Sequence, residues 1–155
     1  MAQNFNDLLP AAPALCVNGK WQRDVAGNAS VYFQVLQAAV DLTAQVADIP
    51  STTVVATPPL AMYRVTAYIV QTVAATTSGT LPKVMVVFTD GDTTTVETLD
   101  LTATNSANVV GTAAQGSAVF YAAPTADMSY QTSGYASVGG TALEYALHVR
   151  VELLN

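Results

Sequence analysis

The chain reads as an all-β protein, a β-sandwich domain carrying an extended arm at its N-terminus. Three observations predict it. Leu143, Tyr145, Leu147, Val149, Val151 and Leu153 alternate without a break with mostly polar residues, the period of a strand that buries one face. Further runs of this kind recur at intervals of roughly 8–15 residues, parted by turn-forming clusters such as Asp90-Gly91-Asp92. No segment clearly demands a helix.

Residues 1 to 28 differ from the rest. Pro10 and Pro13 break any continuous helix or ladder, and Asn18-Gly19 marks a tight turn. Phe5, Leu8, Leu9, Leu15, Val17 and Trp21 are nonetheless apolar. An irregular backbone with many apolar anchors describes an arm that docks on another surface or folds back on its own domain; both stay open. The sandwich domain is expected over 29–155.

Val31, Phe33 and Val35 alternate with Tyr32, Gln34 and Leu36, which predicts a strand running towards Val40. A helix over 30–47 competes, because Gln37-Ala38-Ala39 tolerates one, but the β-branched and aromatic start favours the strand. Leu42–Ala47 and Thr52–Ala56 follow as short strands around the turn Asp48-Ile49-Pro50-Ser51. Tyr63–Val70 should place Tyr63, Val65, Ala67 and Ile69 on one face. After the loop Thr76-Thr77-Ser78-Gly79, Lys83–Thr89 points Val84, Val86 and Phe88 inward. In Thr93–Thr102 the alternation slips between Val96 and Leu99, as a β-bulge near Glu97-Thr98 would make it do. Ser117–Ala122, Met128–Thr132 and the C-terminal run complete about eight or nine strands, a number that suits a sandwich or barrel. Of the sandwich forms, a jelly roll is expected.

Composition excludes several functions. Charged residues make up 10% of the chain, against roughly 25% in an ordinary domain, so little charge keeps neighbours apart. That favours an assembly over a free monomer. The net charge is −6, and Lys20, Arg23, Arg64, Lys83 and Arg150 are scattered; nucleic acid and anionic membrane, which need clustered cations, are not expected partners. Cys16 stands alone and is expected to pack as a small apolar group. The first residues lack the basic start and apolar run of a signal peptide. The most apolar stretch, Leu60 to Val73, contains Arg64 and is not a membrane span.

The search for chemistry yields no catalytic, cofactor or metal residues. His148, the single histidine, lies on the outer face of the last strand beside Ala146 and Arg150. Nucleophilic catalysis needs an oriented base next to a nucleophile, and no nucleophile-elbow motif is present; a surface or inter-subunit contact is expected of it. Asp90 and Asp92 have the oxygen chemistry for calcium but not the spacing of a calcium loop, and Asp-Gly between strands reads as a hairpin turn. Tyr32, Tyr68, Tyr121, Tyr130 and Tyr135 either line a glycan-binding face or sit half-buried with their hydroxyls at the rim. A glycan module would also show exposed aromatics beside Asp or Asn in the loops 76–81, 105–115 or 133–142.

Two segments carry a resemblance: Leu60-Ala61-Met62-Tyr63-Arg64-Val65-Thr66-Ala67-Tyr68, and the run from Gly134-Tyr135-Ala136-Ser137 to Arg150-Val151-Glu152. With the Thr-rich centre, they resemble small β-rich virion proteins of tailed bacteriophages, of the capsid-decoration, head-fibre or tail-fibre-tip kind. The likeness covers residues 40–155. A weaker one runs to trimeric jelly rolls of the tumour-necrosis-factor type, in which a Gly-x-Tyr segment opens a core strand; Tyr63 fits, but Ala61 stands at the glycine position after Pro58-Pro59. The resemblance implies a non-enzymatic virion protein, made in the bacterial host cytoplasm and homotrimeric, with Tyr68, His148 and Arg150 near the threefold contact. Its partners would be further copies of itself and virion proteins such as the major capsid protein. The alternative it implies is a receptor-binding module of a tail fibre or spike that takes a host surface glycan.

Overall fold

The structure, a computed structural model, describes residues 15–17, 20–22 and 35–154. The chain divides into two units, 1–32 and 33–155. In the first, β1 (Leu15–Val17) and β2 (Lys20–Gln22) pair antiparallel, with Val17 opposite Lys20. The turn expected at Asn18-Gly19 lies outside the described residues. The expected boundary at residue 28, the strand start at Val31 and Tyr32 lie outside the described residues.

The second unit contains β3 (Val35–Gln45), β4 (Thr52–Val55), β5 (Ala61–Val73), β6 (Ser78–Thr80), β7 (Lys83–Thr89), β8 (Val96–Asp100), β9 (Ala113–Ala122), β10 (Met128–Ser133), β11 (Ala136–Val138) and β12 (Glu144–Leu154). Two antiparallel four-stranded sheets result, β3-β12-β5-β9 and β4-β10-β7-β8, with a short β6-β11 pair besides. Leave that short pair aside, and the first of the remaining strands pairs with the last, β3 with β12. β4 likewise pairs with β10, β5 with β9 and β7 with β8. This is a long hairpin rolled over on itself, its strands alternating between two layers except at its tip, where β7 and β8 pair within one sheet, the connectivity of a jelly roll. The sandwich class and its expected form both hold.

The inward faces follow the sequence pattern. Tyr63, Val65, Ala67 and Ile69 of β5 are buried with Tyr145, Leu147, Val149 and Val151 of β12; Val84, Val86 and Phe88 of β7 face them with Met128 and Tyr130 of β10. Each Val, Leu, Ile, Phe or Met among them contributes about 1.5–3 kcal/mol by leaving water. Phe88 and Phe120 stack at 3.8 Å between centroids, so an aromatic pair joins β7 of one sheet to β9 of the other. Buried hydroxyls find partners: Tyr145 donates to the Ala47 carbonyl at 2.7 Å and lies 3.2 Å from Thr132 Oγ1, which accepts from Ile49 N at 2.7 Å.

Four sequence expectations are corrected. The runs expected to end at Val40 and to start at Leu42 form one strand, β3. Its register against β12 shifts twice, once in the Leu36–Ala38 stretch and once in the Leu42–Gln45 stretch where Ala44 has φ 54°. The two bulges splice different phases of alternation, and the sequence pattern breaks with them. β8 carries no bulge near Glu97-Thr98: it pairs with β7 in unbroken register and begins at Val96, not Thr93. The slip arises because Val96 stands on the exposed face of an edge strand. Asp90-Gly91-Asp92 opens a connection that runs to Thr95, longer than a two-residue hairpin, with Thr94 in the left-handed region at φ 57°. Finally, the expected loops 76–81 and 133–142 contain β6 and β11, and β9 starts at Ala113, inside the expected loop 105–115.

Two glycines are fixed by close approach. A Cβ on Gly116 would lie 1.8 Å from the Leu101 carbonyl oxygen, and one on Gly91 would lie 2.4 Å from the Tyr121 ring. β9 and the β7–β8 connection can pack as they do only with no side chain at those points.

Candidate functional site

Because β5 and β12 bury every second residue, the residues between them point outward. The register aligns these across the β3-β12-β5-β9 sheet in rows. One row runs Asp41, His148, Tyr68, Gln115; the next Ala39, Arg150, Thr66, Ser117; the third Leu36, Glu152, Arg64, Val119. Leu154, Met62 and Tyr121 form a row at one end, and Ala146, Val70 and Ala113 a row at the other.

The charges on this face neutralise one another. Arg150 Nη2 donates to both oxygens of Asp41, at 2.9 and 3.0 Å, while Nη1 donates to the carbonyls of Val40 and Val149 at 3.1 and 3.0 Å. His148 Nδ1 lies 2.5 Å from Asp41 Oδ1, and its ring stacks against Tyr68 with centroids 6.1 Å apart. The hydrogen bond with His148 first, and those from Arg150 next, hold the Asp41 carboxyl below its ordinary pKa. One row on, Arg64 pairs with Glu152 at 3.6 Å. The cluster lies on an open strand face, and its polar groups serve one another. Large apolar side chains interrupt it, with Leu36 48%, Met62 41%, Tyr68 41% and Val119 51% exposed.

The other residues singled out in the sequence lie apart. Asp90 Oδ1 accepts from Asp92 N, Thr93 N and Thr93 Oγ1 at 2.9–3.0 Å. These bonds, led by those from Thr93, hold its pKa down and make it the capping residue of its turn. Among the described residues no group of three or more His, Cys, Asp or Glu side chains could hold a metal. No helix among them is long and apolar enough to cross a membrane.

Among the described residues, Tyr68, Tyr121, Tyr130 and Tyr135 do not form one exposed face. Tyr130 is buried; Tyr135 is half-buried and donates to the Leu143 carbonyl at 2.7 Å; Tyr121 packs against Gly91. Tyr68 alone shares a row with His148. Sequence reasoning named Tyr68, His148 and Arg150 but missed Asp41, which is 107 positions from His148 and carries no motif. It also missed Arg64–Glu152. Only the strand register brings these groups together.

No protein-family model matches the chain, and no curated protein matches it. Among solved structures, the chain is similar to the CBM22-1–GH10 modules of endo-1,4-beta-D-xylanase 10B from Clostridium thermocellum, complexed with xylohexaose. Identity is 16%, the match covers 79% of this chain and 24% of that one, and the TM-score is 0.37. The chain thus spans about a quarter of that structure's length. A likeness at this level carries no argument about ligand or activity.

Proposed function

We propose that the chain is a non-enzymatic structural protein of a tailed-phage virion, of the capsid-decoration or head-fibre kind, which docks on the particle and stabilises or decorates it as a homotrimer. The single observation that carries the non-enzymatic part is what the ionisable groups do. His148, Arg150, Asp41, Arg64 and Glu152 pair with each other on an open sheet face, and the Asp90 carboxylate caps a turn. These groups satisfy one another, whereas general acid–base or nucleophilic chemistry needs them turned towards a substrate. The virion part rests on the resemblance of residues 40–155, and the jelly roll and the sparse charge agree with it. Residues 1–28 would attach the protein to a virion partner such as the major capsid protein.

Deletion of residues 1–28 tests this reading. The truncated protein should fold, by circular dichroism, and no longer sediment with phage particles; truncated protein that stays on particles would overturn the role of the arm. Recombinant full-length protein that binds no phage particle lacking it would overturn the virion reading. The host-glycan alternative draws less support, since the only aromatic residue in the loops 76–81, 105–115 and 133–142 is the half-buried Tyr135.

A further inference from the structure

We propose that the outward face of the β3-β12-β5-β9 sheet is the surface through which copies of this chain associate. The inference rests on the homotrimeric reading above only for the number of copies; the choice of surface comes from how charge is distributed.

Within the five rows of this face, Arg64 and Arg150 balance Asp41 and Glu152, and each of the four lies in an ion pair inside the face. Of the other carboxylates among residues 35–154, Glu144 stands at the start of β12 opposite Val73 of β5, beyond the five rows, and the rest, from Asp48 to Asp127, lie outside this sheet; Lys83 is the one lysine or arginine that accompanies them. The domain's negative charge is thus displaced from one face. A second copy is equally acidic, so it is repelled by the remainder of the surface and not by this part. Burying the face against another copy also strands no lone charge, because the partners are already in place; an unpaired charge is what makes such burial unfavourable.

The apolar content and the size agree. Leu36, Met62, Tyr68 and Val119 stand exposed on the face at positions where outward residues of a solvated sheet are ordinarily polar. Four strands about 4.8 Å apart and five same-face rows about 7 Å apart give a patch on the order of 600 Å² in plan. Side-chain relief raises that towards the roughly 800 Å² each partner gives to a standard interface. Pairing through the β3 edge is disfavoured: its two register shifts and the left-handed Ala44 bend the strand out of regular ladder geometry.

The test is the native mass of the full chain at micromolar concentration, by light scattering coupled to size exclusion, for the wild type, Val119→Glu, Tyr68→Glu and Val96→Glu. Val96 is the control, being 69% exposed on an edge strand of the other sheet. We expect a multiple of 16.1 kDa for the wild type and for Val96→Glu. Val119→Glu and Tyr68→Glu should fall to the mass of one chain with unchanged circular dichroism. A monomeric wild type would overturn the proposal, and glycan binding by that monomer lost in Tyr68→Glu would give the face to a sugar instead. Retention of the assembled mass by both face variants would overturn it as well. Failure to bind phage particles would leave these masses unchanged, so the two readings fail separately.

Discussion

On the outward face of the β4-β10-β7-β8 sheet, one row consists of Thr53, Ser129, Val87 and Thr98; the corresponding surface of the β3-β12-β5-β9 sheet presents Asp41, His148, Tyr68 and Gln115. The first row is hydroxyls around one valine, and the ion pair on its sheet, Lys83–Asp100 at 2.9 Å, lies away from that row. The second is an ion-paired cluster set among exposed apolar side chains. Inward, the two sheets match: both present Val, Leu, Tyr and Phe or Met to a shared core. The core demands the same of either layer, so the inward pattern is a matter of folding. The outward pattern is free to differ, and where it differs it carries information about contact.

Core truncations should show that the inward faces are equivalent, with the largest effects. Leu147→Ala in one sheet and Met128→Ala in the other remove side chains that are fully buried. Each should lower the unfolding free energy by about 2–5 kcal/mol in urea titrations. A loss confined to one sheet would break the comparison. Gly116→Ala comes next: its methyl would meet the Leu101 carbonyl oxygen at 1.8 Å, and overpacking of this kind destabilises by about 3 kcal/mol. Gly140→Ala, with nothing within 4 Å of its Cβ, is the matched control and should be neutral.

The hydroxyl network under β12 predicts smaller, pH-dependent effects. Tyr145→Phe leaves the Ala47 carbonyl without its donor and should cost about 1–3 kcal/mol in the same titration. Burial pushes the Tyr145 phenol up to about 12 from its ordinary 10.0, and burial raises Tyr63 and Tyr130 too. A raised pKa means that the folded state holds the proton more tightly. The stabilisation is therefore complete below pH 10.0 and is lost as pH rises towards about 12. Thermal melts should fall across that window, and less steeply in Tyr145→Phe. Asp41 has the opposite sign: its depressed pKa stabilises above 3.8, and that share fades as pH drops through the lowered value. Asp41→Asn should flatten the acid limb of the melting curve slightly and leave the alkaline limb alone. Val119→Glu, on the outer face, should change the stability of the single chain by no more than about 0.5 kcal/mol, whatever it does to association.

Much of the inward architecture was legible in the sequence. Period-two alternation at Tyr63–Ile69, Val84–Phe88 and Leu143–Leu153 assigned the buried faces correctly because each of these strands faces the core along its length. Legibility failed where something other than core burial sets the strand. β6 and β11 are three residues each, small or hydroxyl-bearing apart from the exposed Val138, and pair only because the fold brings Gly79 opposite Ser137. β3 lost its pattern at its two register shifts. The outer-face cluster was half legible: His148 and Arg150 sit two apart on one strand, but Asp41 reaches them through register, and no local pattern announces a pairing across 107 positions.

His148 offers the most direct measurement, because the chain has one histidine and it stands at the centre of the outward face. Its rate of modification by diethyl pyrocarbonate should be read at neutral pH for the wild type at high and low concentration and for Val119→Glu. The account predicts a protected His148 in the concentrated wild type, with fast modification on dilution and in Val119→Glu. Equal rates in all three samples, in a wild type whose mass is a multiple of one chain, would show that copies meet elsewhere and contradict the account.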